Sequence, residues 1–277
     1  MNRLARLAVA AALVFAAPFG FAYLFASPSA ERDWSPDQRL LARATIDGQQ
    51  VTIENLRNFS YQSASEYAEH YETRSYDLAK LDSGWFVVER FGDAPAIAHT
   101  FLSFGFGDDY VAISVEIRKE RGETYSMLKG LLRQYELIYV IADERDVIGL
   151  RTNFRRDPVY LYPVQATPDR LRRLFLDMLE RSNRLAVAPE FYNTFTNNCT
   201  SNIVRHANAV ADRIPFSYKT LLPAYSDSLA YDLGLIPTDR PFIEVRAAHR
   251  IDALAQQRDI GADFSQRIRQ AISAARR

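Results

Sequence analysis

The residue best suited to chemistry is Cys199, the only cysteine in the chain, which lies in the stretch "FYNTFTNNCTSNIVRHANAV". Polar residues precede it, and the periodicity predicts a helix from about Thr200 to Ala211, capped by Asn197 or Asn198. A cysteine in the first helical turn lies at the positive end of the helix dipole, beside unpaired backbone N–H groups that lower a thiol pKa and can hold an oxyanion. The alternative is a small buried hydrophobic residue, the usual place of a free cysteine.

A nucleophilic cysteine needs a base, and the chain offers four histidines. His206 follows Cys199 by seven residues, which is about 10.5 Å along a helix and beyond hydrogen-bond reach. His70 and His249 lie among charged residues, so we expect both at the surface. His99, within the strand-like run "AIAHTFLSF", remains as the candidate base.

The strand that follows His99 supplies a possible partner for its ring. If the turn at Gly107 uses two or four loop residues, His99 faces the side of the next strand that carries Ser114, Glu116 and Arg118. A three-residue loop would instead place it opposite Ile117. A carboxylate on the far ring nitrogen would fix the tautomer and stabilise the imidazolium, which makes Glu116 the candidate.

The remaining patterns predict strands in the first half of the chain and helices in the second, which indicates an α+β fold. A strand is expected over 84–90, one or two strands around the "DERD" turn, and another in "DPVYLYPVQAT". An amphipathic helix is expected after Thr167 and Pro168, and a terminal helix from Ile260 to Arg276.

The N-terminus contains an uncharged run from Leu7 to Ala26, preceded by Arg3 and Arg6, that is long enough to cross a bilayer. A cleaved signal peptide is the alternative, but "FASPSAERD" matches a cleavage site poorly. We therefore expect a membrane anchor over 1–27, a polar tether over 28–49 and an extracytoplasmic domain over 50–277. The basic residues keep the N-terminus cytoplasmic. This places a single-pass protein in the cytoplasmic membrane, with its main domain in the periplasm.

Composition excludes several classes of function. The 34 basic and 34 acidic side chains balance, which argues against nucleic-acid binding. One cysteine and scattered histidines lack the spacing of a metal site, and no glycine loop could cradle a phosphate, so we expect neither a metal nor a cofactor. One cysteine also cannot form an internal disulfide, so it is a buried bystander, an intermolecular link or a reactive group.

Several phrases together resemble the Lnb-type periplasmic domain family, which is marked by one histidine and an Asn-Cys-Thr motif. They are "PAIAHTFLSF", "NNCTSN", "YETRSYDL", "SVEIRKERGE", "RQYELIYVIADERDVIGLRTN" and "YSDSLAYDLGL". The resemblance covers about Val51 to Ile236. It implies that His99 and Cys199 are the functional positions, with Asn198 and Thr200 completing the motif.

Characterised members of the wider family are lipoprotein transacylases, which move an acyl chain within the diacylglyceryl-cysteine end of a lipoprotein. The order of a histidine strand before a cysteine helix is similar to permuted papain-like thiol enzymes, where the third polar residue lies on the strand after the histidine. The resemblance therefore implies a permuted papain-like core and supports Glu116 as that third residue.

Three hypotheses follow for the function. The first is a membrane-anchored thiol acyltransferase or acyl hydrolase that acts on a lipid or lipoprotein substrate in the bacterial envelope. The second is a cysteine peptidase or amidase acting on cell-wall peptide, which an open polar cleft would favour. The third is a non-catalytic envelope binding module with Cys199 simply buried.

Overall fold

The computed structural model describes residues 26–92, 97–270 and 272, together with Gly20 and Tyr23. Most of the anchor predicted over 1–27 lies outside the described residues. Within the described part of the chain, no helix has both the length and the apolar character needed to cross a bilayer.

The strands share alternating or continuous apolar sequences bounded by turns. They are β1 (Arg43–Asp47), β2 (Gln50–Arg57), β3 (Ser60–Tyr61), β4 (Tyr67–Ala68), β5 (Tyr71–Asp77), β6 (Ser83–Arg90), β7 (Ala98–Phe106), β8 (Asp109–Arg118), β9 (Glu136–Asp143) and β10 (Val159–Pro163).

One mixed sheet of eight strands organises the domain, in the order β1-β2-β9-β8-β7-β6-β10, with β5 also paired to β2. The β2–β9 pair is parallel, and the other pairs are antiparallel. Strands β3 and β4 form a separate small hairpin. With the helices that cover this sheet, the predicted α+β class is confirmed.

The helices lie mostly in the second half of the chain. They are α1 (Met127–Leu131), α2 (Glu144–Gly149), α3 (Pro168–Val187), α4 (Cys199–Val210), α5 (Tyr218–Leu221), α6 (Ser226–Asp232), α7 (Phe242–Ala248), α8 (Asp252–Ala255) and α9 (Phe264–Arg267). A wide turn of π-helix, Leu150–Arg155, extends α2, and 3-10 turns occupy Pro36–Gln38, Leu78–Lys80 and Pro223–Tyr225.

Both faces of the sheet are covered, so the domain has two cores. Because side chains alternate along a strand, even-numbered residues of β7 face one core and odd-numbered residues face the other. The first core packs Phe104 of β7 against Phe175 of α3 and also includes Leu102 and Cys199. The second core packs Phe101 with apolar residues of α2 and of the C-terminal helices.

Local sequence signals define several elements as predicted. Helix α3 begins at Pro168 with the Thr167 side chain accepting a hydrogen bond from the Arg170 backbone N–H at 3.3 Å. Helix α4 runs from Cys199 to Val210, and β6 and β10 occupy the predicted strand regions.

Two predicted elements were wrong in part. Of the one or two strands expected around "DERD", one is present as β9, which ends at Asp143; a helix follows it, because Asp143 caps α2 by accepting a hydrogen bond from the Arg145 backbone N–H. The C-terminal helix was expected from Ile260 to Arg276; α9 begins later, at Phe264, and ends at Arg267, Gln270 and Ile272 are again helical, and the rest of the predicted helix lies outside the described residues.

The segment predicted as a tether, 28–49, contains β1 and contacts the domain at several points. Trp34 is buried with the Arg118 guanidinium 4.1 Å from its ring centre, and Arg32 pairs with Glu136 at 2.9 Å. The predicted division of the chain at residue 50 stays a prediction.

Candidate functional site

Cys199 is the first residue of α4, and the residue before it fixes the start of the helix. The Asn198 side chain accepts a hydrogen bond from the Ser201 backbone N–H at 2.8 Å, while the Ser201 hydroxyl accepts one from the Asn198 backbone N–H at 2.8 Å. This reciprocal capping box is the sequence-level signal of a helix start. The Asn198 amide also donates to the Thr194 carbonyl at 2.6 Å, which fastens the preceding loop to the helix.

The Cys199 thiol is buried, and its environment favours the thiolate. Burial by itself raises the pKa of the thiol, but hydrogen bonding and charge from His99, with hydrogen bonds from Thr100, outweigh burial and lower the pKa to about 7. The start of the helix favours negative charge in the same way. At neutral pH a substantial fraction of the thiol is therefore ionised.

The β7–β8 hairpin places His99 opposite Glu116. Phe106 pairs with Asp109, so the turn has the two-residue loop of one of the predicted alternatives, with Gly107 at a φ of +69°. Phe101 pairs with Ser114, and the same register extended by two residues brings His99 across from Glu116.

A chain of hydrogen bonds joins the histidine to the carboxylate through a residue that sequence reasoning had not assigned a role. His99 Nε2 lies 2.7 Å from Ser114 Oγ, and Ser114 Oγ donates to Glu116 Oε1 at 2.8 Å. The direct His99–Glu116 separation is longer, 3.6 Å. Ser114 is thus the immediate partner of the ring.

This chain assigns the tautomer of His99. A serine hydroxyl has one hydrogen, and Ser114 gives it to Glu116, so Ser114 must accept the Nε2–H of His99. The other ring nitrogen, Nδ1, then carries the lone pair, and His99 is the group that lowers the pKa of the Cys199 thiol against the effect of burial. In this tautomer Nδ1 is able to accept a proton, and the role of His99 as the base for Cys199 stays a prediction.

Buried ionic partners hold Glu116 in its charged form. Burial raises the pKa of this carboxyl, but the charge of Arg151, followed by that of His99, outweighs it and lowers the pKa well below the ordinary value. Arg151 donates to Glu116 at 2.9 Å and to Glu89, the β6 neighbour of His99, at 2.6 Å. The guanidinium also lies 5.0 Å from the ring centre of Phe101.

The pair forms where the two cores meet at the end of the sheet. Cys199 belongs to the core beneath α3 and α4, whereas the His99 ring stacks on Phe101 of the opposite core at 5.6 Å. Side chains from opposite faces can approach each other only where a strand ends, and His99 is the second residue of β7.

A cleft of about 520 Å³ opens over these groups. Its floor includes the functional candidates Cys199, His99, Glu116 and Asn198. Apolar and charged side chains line the remainder: Phe91, Ile97, Val115, Ile117, Tyr125, Met127, Tyr192, Phe195, Leu221 and Leu222 among the former, and Lys119, Glu123, Arg151 and Arg155 among the latter.

Comparison with known proteins adds the family. The model of the Lnb N-terminal periplasmic domain matches residues 67–225, which is more than half of the chain and includes the whole His99–Cys199 arrangement. The chain belongs to this family. It matches no curated protein and no solved structure. The predicted resemblance is thus confirmed, and the region around the site is a periplasmic Lnb domain.

The other histidines are placed differently from His99. His206 is buried and bonds Asp177 through Nδ1 and the Tyr139 hydroxyl through Nε2 at 2.6 Å, so both ring nitrogens serve packing between helices and sheet. His70 is exposed, as predicted. The prediction that His249 is a surface residue was wrong, because it is buried against the Tyr162 ring.

The two other motif residues use their side chains structurally. Asn198 caps α4, and Thr200 Oγ1 lies 3.1 Å from Thr100 Oγ1, which ties the helix start to β7. In any α-helix the first backbone N–H groups have no intrahelical acceptor, so the N–H groups of Cys199 and Thr200 are the donors that a bound anion could reach. Their oxyanion role stays a prediction.

Ser114 and Arg151 are the site residues that the sequence left without a role. The alternation of β8 had already placed Ser114 on the face of Glu116, so a weak signal existed. Arg151 lies in the π-helical turn after α2, a segment with no sequence pattern that relates it to His99. No group of three or more metal-ligating side chains occurs within the described residues.

Proposed function

We propose that the protein is a membrane-anchored, cysteine-dependent acyltransferase or acyl hydrolase of the bacterial envelope, acting on lipoprotein or lipid acyl groups. The observation that carries the proposal is the hydrogen-bonded chain from Glu116 through Ser114 to His99, together with the Cys199 thiol, whose pKa His99 lowers against the effect of burial. A thiol with a lowered pKa, a base in the correct tautomer and a helix start together constitute a nucleophilic site.

The proposal includes a permuted papain-like core. The histidine strand β7 precedes the cysteine helix α4 in the chain, and the polar residues that orient the ring lie on the next strand, β8. This order and these roles match the arrangement expected from such enzymes. Glu116 is proposed to stabilise the imidazolium, with Ser114 as the link.

In the first step His99 Nδ1 takes the thiol proton and the Cys199 sulfur attacks the carbonyl carbon of an ester. The carbonyl oxygen becomes an oxyanion, and the backbone N–H groups of Cys199 and Thr200 are the proposed donors to it. The C–O bond then breaks, the leaving alcohol receives the proton from His99, and the acyl group remains on sulfur as a thioester.

In the second step an amine or water attacks the thioester carbonyl and gives a proton to His99. The C–S bond breaks, the thiolate recovers the proton, and the products are an amide or a free acid. An amine acceptor makes the enzyme a transferase and water makes it a hydrolase, and both use the same residues.

The lining of the cleft supports an acyl substrate. Aromatic and aliphatic side chains such as Tyr125, Met127 and Phe195 offer a surface for a hydrocarbon chain close to Cys199. The N-terminal apolar run would hold the domain beside such lipids.

A peptidase or amidase acting on cell-wall peptide is the second candidate. The specific observation in its favour is the charged group of Lys119, Glu123 and Arg155 on the cleft wall, which suits a polar peptide. A purely structural cysteine in a non-catalytic module is disfavoured, because nothing in packing alone requires its pKa to fall.

The test is turnover by the full chain in proteoliposomes, with a synthetic diacylglyceryl lipopeptide and, separately, a cell-wall tetrapeptide. Cys199→Ala and His99→Ala should each abolish acyl transfer or release, while the exposed-site control His70→Ala and the buried control His206→Ala should retain it. Cleavage of the peptide alone would select the second candidate. Full activity of Cys199→Ala on the lipopeptide would overturn the proposal.

A further inference from the structure

At the mouth of the cleft lies a group of exposed large apolar side chains, three of which also line the cleft, and we call it the apolar rim. It consists of Tyr125, Met127, Leu128, Leu132 and Phe195, each of which is exposed. Leu128 is the most exposed at 63%, a value that packing within the domain does not explain.

The apolar rim is contiguous and rigidly joined to the site. Leu128 and Leu132 are four residues apart at the α1 helix, so they share one face. The Thr194 hydroxyl donates to the Met127 carbonyl at 2.8 Å, which connects α1 to the loop that carries Phe195. The same loop is fastened to the start of α4 through Asn198.

Contacts of Arg133 show which part of the chain lies next to the apolar rim. Arg133, next to Leu132, donates to the Tyr23 carbonyl at 3.3 Å and lies 4.4 Å from the centre of the Tyr23 ring. Tyr23 is near the end of the uncharged run Leu7–Ala26, which is long enough to span a bilayer. The apolar rim is therefore adjacent to the point where that run meets the domain.

The residues around this junction suit the lipid–water interface. Tyrosine is enriched at that level, and arginine and lysine extend their charged ends toward the headgroups while their stems remain in apolar surroundings. Arg133 and Lys129 are the sequence neighbours of Leu132 and Leu128; Arg133 bonds the Tyr23 carbonyl, and Lys129 pairs with Glu123 at 3.2 Å. An exposed apolar cluster with a basic border is typical of a membrane-contact surface.

A second exposed apolar segment borders the cleft. Phe216 is 80% exposed and Tyr218 is also exposed, and both precede Leu221 and Leu222, which line the cleft. Exposed apolar side chains therefore lie at the mouth of the cleft in two places, the apolar rim and the segment of Phe216 and Tyr218.

We propose that the apolar rim docks on the surface of the phospholipid bilayer, so that the cleft opens at the lipid–water interface. This deepens the proposed function and rests on it for the substrate, because a lipid acyl chain could then reach Cys199 without crossing water. The docking itself requires only the membrane.

The experiment places a tryptophan on the rim and measures its depth in lipid. Full-length Leu128→Trp, in the Cys199→Ala background, is reconstituted in vesicles of phosphatidylcholine with or without bromine on the acyl chains. The native Trp34 and Trp85 are buried and provide a constant baseline. Ile243→Trp is the matched control, because Ile243 is 70% exposed but far from the apolar rim. It lies on α7, whose C-terminal end bonds to β10, whereas α1 of the rim leads into β9, four strands away in the sheet.

Docking predicts strong quenching by brominated lipid for Leu128→Trp and no more than the baseline for Ile243→Trp. Equal quenching of the two variants, or quenching of neither, would overturn the proposal. If a second copy of the chain covered the rim instead, the emission of the Leu128→Trp variant would shift to the blue without quenching and the protein would have the mass of a dimer in detergent. That result would also overturn the proposal.

A functional readout separates docking from the chemistry. With Cys199 intact, the double variant Leu128→Asp with Leu132→Asp should lose about tenfold or more of its turnover on vesicle-embedded lipopeptide, because charged groups replace inserted apolar surface. Hydrolysis of a short-chain, water-soluble thioester should be unchanged. Because quenching is measured on an inactive protein, it can succeed even if the proposed acyl chemistry fails.

Discussion

At the Cys199 sulfur two opposing effects act on one proton. Burial disfavours the thiolate, while His99 and the Thr100 hydrogen bonds favour it, and the balance lowers the pKa to about 7. The balance depends on residues that are distant in sequence but adjacent at the end of the sheet. Removal of any one of them should therefore be visible in the titration of the thiol.

The pH dependence of alkylation tests this balance. The rate of Cys199 modification by iodoacetamide should rise through a midpoint near pH 7, because the thiolate is the reactive form. In His99→Ala the stabilising partner is absent while burial remains, so the midpoint should move to higher pH. An identical midpoint in the two proteins would contradict the assigned contact.

Ser114 offers a sharper test, because it touches neither the sulfur nor the substrate. Ser114→Ala removes the link between His99 and Glu116, so turnover should fall about tenfold to a hundredfold, less than for loss of a general base itself. The alkylation midpoint should rise together with this loss. Ser182→Ala, also a buried serine but within α3, is the control and should change neither quantity.

At the scale of elements, the start of α4 and the β7–β8 hairpin were predictable because each has a local cause. Asparagine before a periodic run signals a cap, and alternation with a glycine turn signals a hairpin. The two-residue loop then fixed which face His99 shares with Glu116. Sequence alone left the loop length open, since two, three and four residues were all compatible with the pattern.

An element with an ambiguous apolar pattern was not predictable, even where a local cap is present. The segment after Asp143 has a mixed pattern that fits a strand or a helix, and tertiary packing of Val147 and Ile148 under the sheet decides for α2. The position of Arg151 follows from that helix and its π-helical turn. The sequence could therefore indicate His99, Cys199 and Glu116 but not the guanidinium that charges the carboxylate.

Asn198 provides the prediction at this scale. Asn198→Ala removes the cap of α4 and the donor to the buried Thr194 carbonyl, so the free energy of unfolding should fall by about 1–3 kcal/mol. Urea unfolding measures this.

Asn198→Asp is the matched variant. It keeps the cap acceptor but loses the donor to the Thr194 carbonyl and adds a negative charge beside the sulfur, so it should raise the pKa of Cys199, an effect that alanine lacks. Alanine and wild-type proteins of equal stability would contradict the capping role.

At the scale of the whole molecule, the site depends on a sheet that is covered on both faces. Cys199 packs in one core, and the His99 ring packs against Phe101 of the other core. The two side chains meet because His99 is close to the start of β7, at the end of the sheet where both cores lie. Arg151 joins β6, β8 and the segment after α2 through Glu89 and Glu116. The same buried ion pairs thus serve the stability of the domain and the orientation of the ring.

Arg151→Met should destabilise the domain by about 3–5 kcal/mol, because buried Glu89 keeps only Arg155 at 3.3 Å and half-buried Glu116 loses its guanidinium partner. Adding Glu89→Gln should restore part of the stability without restoring activity, since Glu116 stays unsupported. Arg173→Met, which breaks an exposed pair on α3, is the control and should have little effect. If denaturant unfolding gave Arg151→Met the same free energy of unfolding as Arg173→Met, the result would contradict this account.

Acid should remove the same contribution. Burial opposes ionisation of Glu89 and Glu116, but Arg151 lowers the pKa of both below the ordinary value, so the folded protein binds fewer protons than the unfolded chain. Their contribution is complete above the unfolded pKa and is lost as the pH falls toward the folded values. Thermal unfolding should show a smaller loss of stability on acidification for the double variant Arg151→Met with Glu89→Gln than for the wild type.

The central claim is that Cys199, activated by His99, carries the acyl group. Its most direct measurement is the intact mass of the full-length protein, quenched in acid after brief mixing with diacylglyceryl lipopeptide. We predict a mass increase of one acyl chain on the Cys199 peptide, absent in Cys199→Ala and His99→Ala and present in His206→Ala. Acyl transfer at the wild-type rate by Cys199→Ala, with no adduct on the wild type, would contradict the account.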